Sequence, residues 1–264
     1  MTGLSFSVTG QGTEPLLLLH GLGGTRRQPL GIVDERARRH CRILAPDLRA
    51  HGATDLDEQP GLLSFGQFAA DVERLVTDQE MANGVTVVGI SMGAGIAAEL
   101  AARARLTIKA MLLIRPAWRW TPEPPNLAPL TAIGRLLRDH PAAQARRLFA
   151  GSIEYAAVAG TSEAAARALL GQFADPGATR RWQRLVALPG DAPTPPRTPV
   201  ITHVLGAGRD PVHPLDVAES VAADFGADLT IGPARYDQPA EHNAAAAAAV
   251  HRLLRAADTG ERRA

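Results

Sequence analysis

The chain has 264 residues, of which 45% are apolar and 21% charged, and its formal net charge is +1. This length suits one large domain with a sizeable core, and the balance of charge excludes both a basic nucleic-acid-binding face and an acidic disordered tail. Cys41 is the only cysteine, so no intramolecular disulfide can form.

The amino terminus, Met1-Thr2-Gly3-Leu4-Ser5-Phe6, has neither the charged start nor the apolar run of a signal peptide. No segment approaches the roughly 18 apolar residues that a membrane span needs, so a soluble, cytoplasmic protein with no membrane or nucleic-acid partner is expected. Lys109 is the sole lysine, and this arginine-, alanine- and proline-rich usage reads as that of a GC-rich bacterial genome. Ser5–Val8 is expected to add an antiparallel strand. Buried strands are then predicted at Leu16–His20, Arg42–Ala45, Val85–Ile90, Ala110–Ile114 and Val200–Leu205. Their apolar runs are continuous, as in parallel strands covered on both faces. Helical spacing fills the intervals, as at Phe65–Thr77 and Ala94–Arg105, so the fold class is α/β with a mostly parallel, doubly wound sheet. Residues 116–199 are rich in proline at both ends, and between them lie helical stretches around Thr131–Asp139, Ala142–Ala157, Glu163–Phe173 and Ala178–Leu188. That segment reads as a helical insertion dividing a core made of residues 1–115 and 200–264. The alanine run Ala244–Ala249 belongs to a closing helix.

The strongest chemical signal is Gly89-Ile90-Ser91-Met92-Gly93, which follows the apolar run Val85–Val88 and precedes an alanine-rich helix. A G-x-S-x-G motif between strand and helix forces its serine into a strained turn and lifts the hydroxyl above the sheet. Side chains at Gly89 and Gly93 would collide with the neighbouring strand and helix. The start of the following helix offers unpaired N–H groups to an oxyanion. A second element, Leu16 to Leu19 followed by His20-Gly21-Leu22-Gly23-Gly24, runs a strand into a glycine-rich loop whose backbone can approach a developing negative charge. It lacks the lysine of a phosphate loop and the spacing of a dinucleotide fingerprint; a plain turn is the other reading.

Together with Asp47-Leu48-Arg49-Ala50-His51-Gly52, these segments resemble the α/β-hydrolase superfamily, in its order and over nearly the whole chain. The resemblance implies an α/β-hydrolase fold with a helical cap at residues 116–199. It also implies oxyanion donors at the Leu22 and Met92 N–H groups and loop-shaping roles for His20 and His51. Ala50 stands where the family's "D-x-R-G-H-G" stretch has its first glycine. Family order places an acid and then a histidine after the serine. Asp210, at the end of a strand, matches the acid; Asp216 falls in the following helix, and loop capping is the alternative role for Asp210.

The histidine has three candidates. The family's usual Gly-x-Gly-His segment here reads Ile231-Gly232-Pro233-Ala234-Arg235-Tyr236, without a histidine. His242 is expected to be the base, in the acidic-Pro-x-x-His context of Asp237–His242. His251 is expected inside the helix, facing away. His213 is expected to follow Asp210 too closely to hold its carboxylate and reach Ser91 at once.

The expected activity is therefore that of a serine hydrolase cleaving an ester or related acyl compound through Ser91, His242 and Asp210, without metal or organic cofactor. Thioester, lactone or C–C bond hydrolysis would use the same groups, and a non-hydrolytic ligand-binding or cyclising member of the fold is the alternative. The expected partner is a small, mostly apolar acyl substrate. Trp118, Trp120, Leu127, Leu130, Ile133, Phe149, Tyr155, Phe173 and Trp182 are candidates for either its pocket or the packed faces of cap helices. Arg26 and Arg27 read as surface arginines near the glycine loop, where they could also meet an anionic group.

Overall fold

In a computed structural model describing residues 3–54, 62–82, 84–174, 178–197 and 199–259, seven strands form one sheet. They are β1 (Phe6–Thr9), β2 (Glu14–Leu19), β3 (Cys41–Pro46), β4 (Val85–Ile90), β5 (Ile108–Ile114), β6 (Ile201–Ala207) and β7 (Asp228–Gly232). Met1, Thr2 and the Trp182 side chain lie outside the described part. The strand order is β1-β3-β2-β4-β5-β6-β7. β1 runs antiparallel to β3, with Phe6 opposite Pro46, and every other pair is parallel.

Continuous apolar runs suit this sheet because its two faces are both buried. Leu17 and Leu19 belong to one core cluster while Leu16 and Leu18 belong to the other, as the two-residue period of a strand requires. All four are completely buried, each contributing about 2 kcal/mol relative to an exposed leucine. The first face is covered by α3 (Phe65–Asp78), α4 (Met92–Arg103) and α10 (Leu215–Phe225). The second lies under α1 (Arg27–Leu30), α2 (Glu35–His40) and α11 (Pro239–Thr259), through Ala37, Ala246, Val250 and Leu253. Ser64 caps α3 by accepting from the Gln67 N–H, and Asp34 caps α2 by accepting from Ala37.

Between β5 and β6 the described chain forms helices and turns with no strand: α5 (Ala128–Asp139), α6 (Ala142–Ala150), α7 (Ile153–Thr161), α8 (Glu163–Leu170) and α9 (Ala178–Ala187). The single helix expected over Ala142–Ala157 is two. α6 ends at Gly151, and Ser152 accepts from the Tyr155 N–H to start α7. A serine there competes for local backbone hydrogen bonds and favours a cap over a helix interior. Single-turn 3₁₀ segments, Pro125–Leu127 and Gly171–Phe173, precede α5 and follow α8. Side chains tie this insertion to the core at several points, among them Asn126, Ser162 and Arg119, which pairs with Asp224 of α10. Asn126 Nδ2 donates to the carbonyls of Ala117 (2.9 Å) and Val212 (2.7 Å). The buried Ser162 hydroxyl donates to Asp237 (3.0 Å), which also pairs with Arg209.

Candidate active site

β4 delivers Ser91 to the carboxyl edge of the sheet, and the turn there is strained as the motif predicts. Ser91 has φ 54° and ψ −110°, and its N–H donates to the Ile114 carbonyl at 2.9 Å. A Cβ at Gly89 would lie 2.2 Å from the Gly93 carbonyl oxygen, and one at Gly93 would lie 2.4 Å from that of Leu19. Both distances are far inside van der Waals contact, so only glycine allows strand, turn and helix to close this tightly. Ser91 is the N-cap of α4, and Met92 is its first helical residue. The glycine loop runs beside it, since a Cβ at Gly21 would come within 3.3 Å of the Ser91 Cβ. Gln28 accepts from the Gly21 N–H at 2.7 Å, and Gly24 donates back to the Gly21 carbonyl. Among the described residues neither the Leu22 nor the Met92 N–H has a hydrogen-bond partner. These are the two expected oxyanion donors.

His20 and His51 shape the loops. The His20 Nδ1–H donates to the Gly21 carbonyl and its Nε2 accepts from the Leu48 N–H, while the His51 ring packs 4.9 Å from it. Burial pushes the His20 imidazole down to about 4, so it is neutral at pH 7 and serves both partners as a neutral ring. Asp47 accepts from the N–H groups of Arg26 and Ala53. Arg26 itself bonds Ser5 and pairs with Asp47, which makes it a structural side chain.

The histidine beside the serine is His213. Its Nε2 lies 2.8 Å from Ser91 Oγ, and its Nδ1 lies 2.9 Å from Asp210 Oδ2. The expectation that His242 would occupy this place is corrected by its position on α11. There its Nδ1–H donates to the Pro233 carbonyl at 3.0 Å, and burial pushes it down to about 4. Following Asp210 by three positions, contrary to expectation, does not keep His213 from holding the carboxylate and reaching Ser91 at once. Asp210 to His213 form one tight turn, in which the His213 N–H donates to the Asp210 carbonyl (3.1 Å) and to its Oδ1 (3.2 Å). Residues i and i+3 of such a turn come together. One carboxylate oxygen therefore caps the turn while the other orients the ring, and the far side of the imidazole remains free to face Ser91. His251, as expected, points away and meets Asp34 at 2.8 Å.

A residue without a sequence motif completes the cluster. Arg115 directly follows β5 with φ 46°, is 5% exposed, and donates through Nη1 to Asp210 Oδ2 at 2.6 Å. Burial raises the Asp210 carboxyl, but His213 and Arg115 outweigh it and hold the group well below the usual carboxylate range. Burial, with the Arg115 charge, lowers the His213 imidazole against the opposing pull of Asp210. At neutral pH this is an unprotonated imidazole, its Nδ1–H directed at a carboxylate and its Nε2 open to the serine proton.

The aromatic side chains of the insertion mostly pack on one another. Phe149 contacts Tyr155 and Phe173, and Trp118 stands edge-on to Phe65. The Trp120 Nε1–H donates outward to Asp224. A Cβ on Gly23 would meet the Gln172 amide at 2.9 Å, so the insertion reaches down to the glycine loop. Cys41 is buried, and burial pushes its thiol up to about 11. No group of three His, Cys, Asp or Glu side chains among the described residues is placed to hold a metal ion. No helix of the described residues is long and apolar enough to cross a membrane.

Residues 16–255 match the model of the alpha/beta hydrolase family, and the chain belongs to that family. Among solved structures it is similar to an esterase from Thermogutta terrifontis, at 20% identity and a TM-score of 0.70 over 96% of this chain and 93% of that one. A hydrolase from Pseudomonas aeruginosa aligns at 22% identity and a TM-score of 0.69, over 95% and 94%. MenH from S. aureus aligns at 16% and 0.74, over 98% and 100%. At these identities the likeness is one of fold. No curated protein matches the chain.

Proposed function

We propose that the protein is a serine hydrolase that cleaves an ester or related acyl compound, with Ser91 as nucleophile, His213 as base and Asp210 as the orienting acid. The observation that carries this reading is the unbroken hydrogen-bonded path from Ser91 Oγ through the His213 ring to Asp210. As Ser91 attacks a carbonyl carbon, His213 Nε2 takes its proton, and Asp210 stabilises the imidazolium that forms. The oxyanion then lies between the Leu22 and Met92 N–H groups, where one donor contributes about 100- to 1000-fold in rate. His213 returns its proton to the leaving alcohol, and water activated by the same ring releases the acyl group. The insertion, acting as a cap, would shape the acyl side of the pocket. The family membership and the esterase fold likeness agree with this reading.

The test is labelling by a fluorophosphonate, mapped by mass spectrometry, on the wild type and on Ser91→Ala, His213→Ala and His242→Ala. Labelling at Ser91 that is lost in the first two variants and kept in His242→Ala is the expected outcome. Loss in His242→Ala with retention in His213→Ala would overturn the assignment of the base. A folded wild type that does not label would overturn the serine mechanism itself.

A further inference from the structure

Behind Arg115, on the face of the sheet covered by α1 and α11, lies a cavity of about 120 Å³ lined by Gln28, Ile90, Arg115, Arg235, His242 and Asn243, with apolar neighbours. Among the described residues, neither Ser91 nor His213 lines it. Its charges do not balance. Arg115 is 5% exposed, and its Nε is buried without a hydrogen-bond partner among the described residues. Arg235 is half-buried, and the carboxylate that acts on it is Asp210. That carboxylate is already engaged by Arg115 Nη1 at 2.6 Å and by His213 at 2.9 Å. Both guanidinium groups lie about the same distance from the Tyr236 ring, 5.8 Å for Arg115 and 6.0 Å for Arg235. Two permanent cations thus face one cavity and share a single, occupied anion.

The remaining lining groups favour an acceptor there and supply none with charge. Gln28 spends its carbonyl on the Gly21 N–H, and His242 is neutral at pH 7, with its Nδ1–H given to Pro233. Leaving a buried guanidinium N–H unpaired is costly. The cavity has room for roughly four waters at about 30 Å³ each, which is also the scale of a tetrahedral or planar oxyanion. Guanidinium forks match such oxygens in pairs. We propose that this cavity is a binding site for a small oxyanion, held between Arg115 and Arg235 and separate from the nucleophile. The site holds irrespective of the reaction that Ser91 performs, and its ligand is either a free inorganic oxyanion or the carboxylate of a small organic acid.

The experiment is calorimetric titration of the full chain with sulfate, phosphate and acetate at constant ionic strength, with chloride as the balancing salt. Arg235→Gln is titrated in parallel, and crystals soaked in selenate are read by anomalous scattering. Saturable binding is expected, weakened roughly ten- to hundred-fold in Arg235→Gln, the scale of one charge-assisted pair, with a selenate peak between the two guanidiniums. Tighter sulfate or phosphate binding assigns an inorganic ion, and tighter acetate binding assigns a carboxylate. Should Arg235→Gln fail to fold, Arg235→Lys keeps the charge, loses the fork and is expected to bind several-fold more weakly. Absence of saturable binding, affinity unchanged by the Arg235 variant, or a selenate peak elsewhere overturns the proposal.

Discussion

Arg115 sets the carboxylate of this site apart, because Asp210 serves a buried guanidinium as well as the neutral imidazole. Its positive charge disfavours a proton on His213. Arg115→Met removes that charge, so His213 should stay protonated to higher pH, and the acid limb of the kcat/KM profile should move to higher pH. The variant should also be less stable, by roughly 3–5 kcal/mol, because a buried carboxylate loses a partner. An acid limb that does not move would show that Arg115 has no electrostatic hold on the base. A second residue, Ala50, sits at φ 64°, where the family's "D-x-R-G-H-G" stretch has glycine. The left-handed conformation costs an alanine roughly 1–2 kcal/mol, against about 0.5–1 kcal/mol of extra entropy lost by a glycine. Ala50→Gly is therefore expected to be neutral or to stabilise by up to about 1 kcal/mol in urea unfolding; a clear destabilisation would contradict the strain.

At the scale of elements, the loop carrying Asp210 and His213 is held from above. Asn126, in the 3₁₀ turn that precedes α5, donates to the Val212 carbonyl, one residue before the histidine. This contact makes the insertion part of the site's scaffold. Asn126→Ala leaves two carbonyls without that donor and is expected to cost about 1–3 kcal/mol of stability. It should also lower kcat more than it raises KM, because it loosens the base rather than the substrate. Unchanged kinetics in the folded variant would mean that the loop holds its shape alone. The same element logic explains the two glycines of the elbow, where strand and helix backbones approach within the space of a single Cβ.

Across the whole molecule, acid sensitivity is set by histidines buried without charge. His20 and His242 each lie near 4 rather than at their ordinary 6.5. A histidine lowered on folding stabilises the protein fully above its unfolded value, and that contribution is lost as pH falls from about 6.5 toward 4. For the fully buried His20 the linkage amounts to roughly 3 kcal/mol. Its protonation would also set an N–H against the Leu48 N–H that Nε2 now accepts. Urea midpoints measured between pH 7 and pH 4.5 should fall steadily, and a flat profile over that window would contradict the burial of both rings.

Much of the fold, and the strained turn that carries the proposed nucleophile Ser91, was legible in order along the chain. Continuous apolar strands, a strained G-x-S-x-G turn and a glycine loop are local patterns, each carried by a few adjacent residues with their own steric demands. Asp210 was legible in the same way, as the carboxylate closing a strand. The histidine beside Ser91 was not, because a histidine becomes a partner of Ser91 only through the turn in which it sits and the strand that brings the turn alongside. His242 had the more suggestive sequence context, yet the start of α11 directs its ring to Pro233, while a tight turn after β6 aims His213 at the serine. Arg115 had no signal at all, since an arginine after a strand is ordinary until the packing of β5 against β6 buries it beside Asp210. Spacing along the chain determined the central strands and the longer helices. Their packing alone decided which side chains meet, because distance in space between residues more than a hundred positions apart is set by the sheet and not by the local pattern.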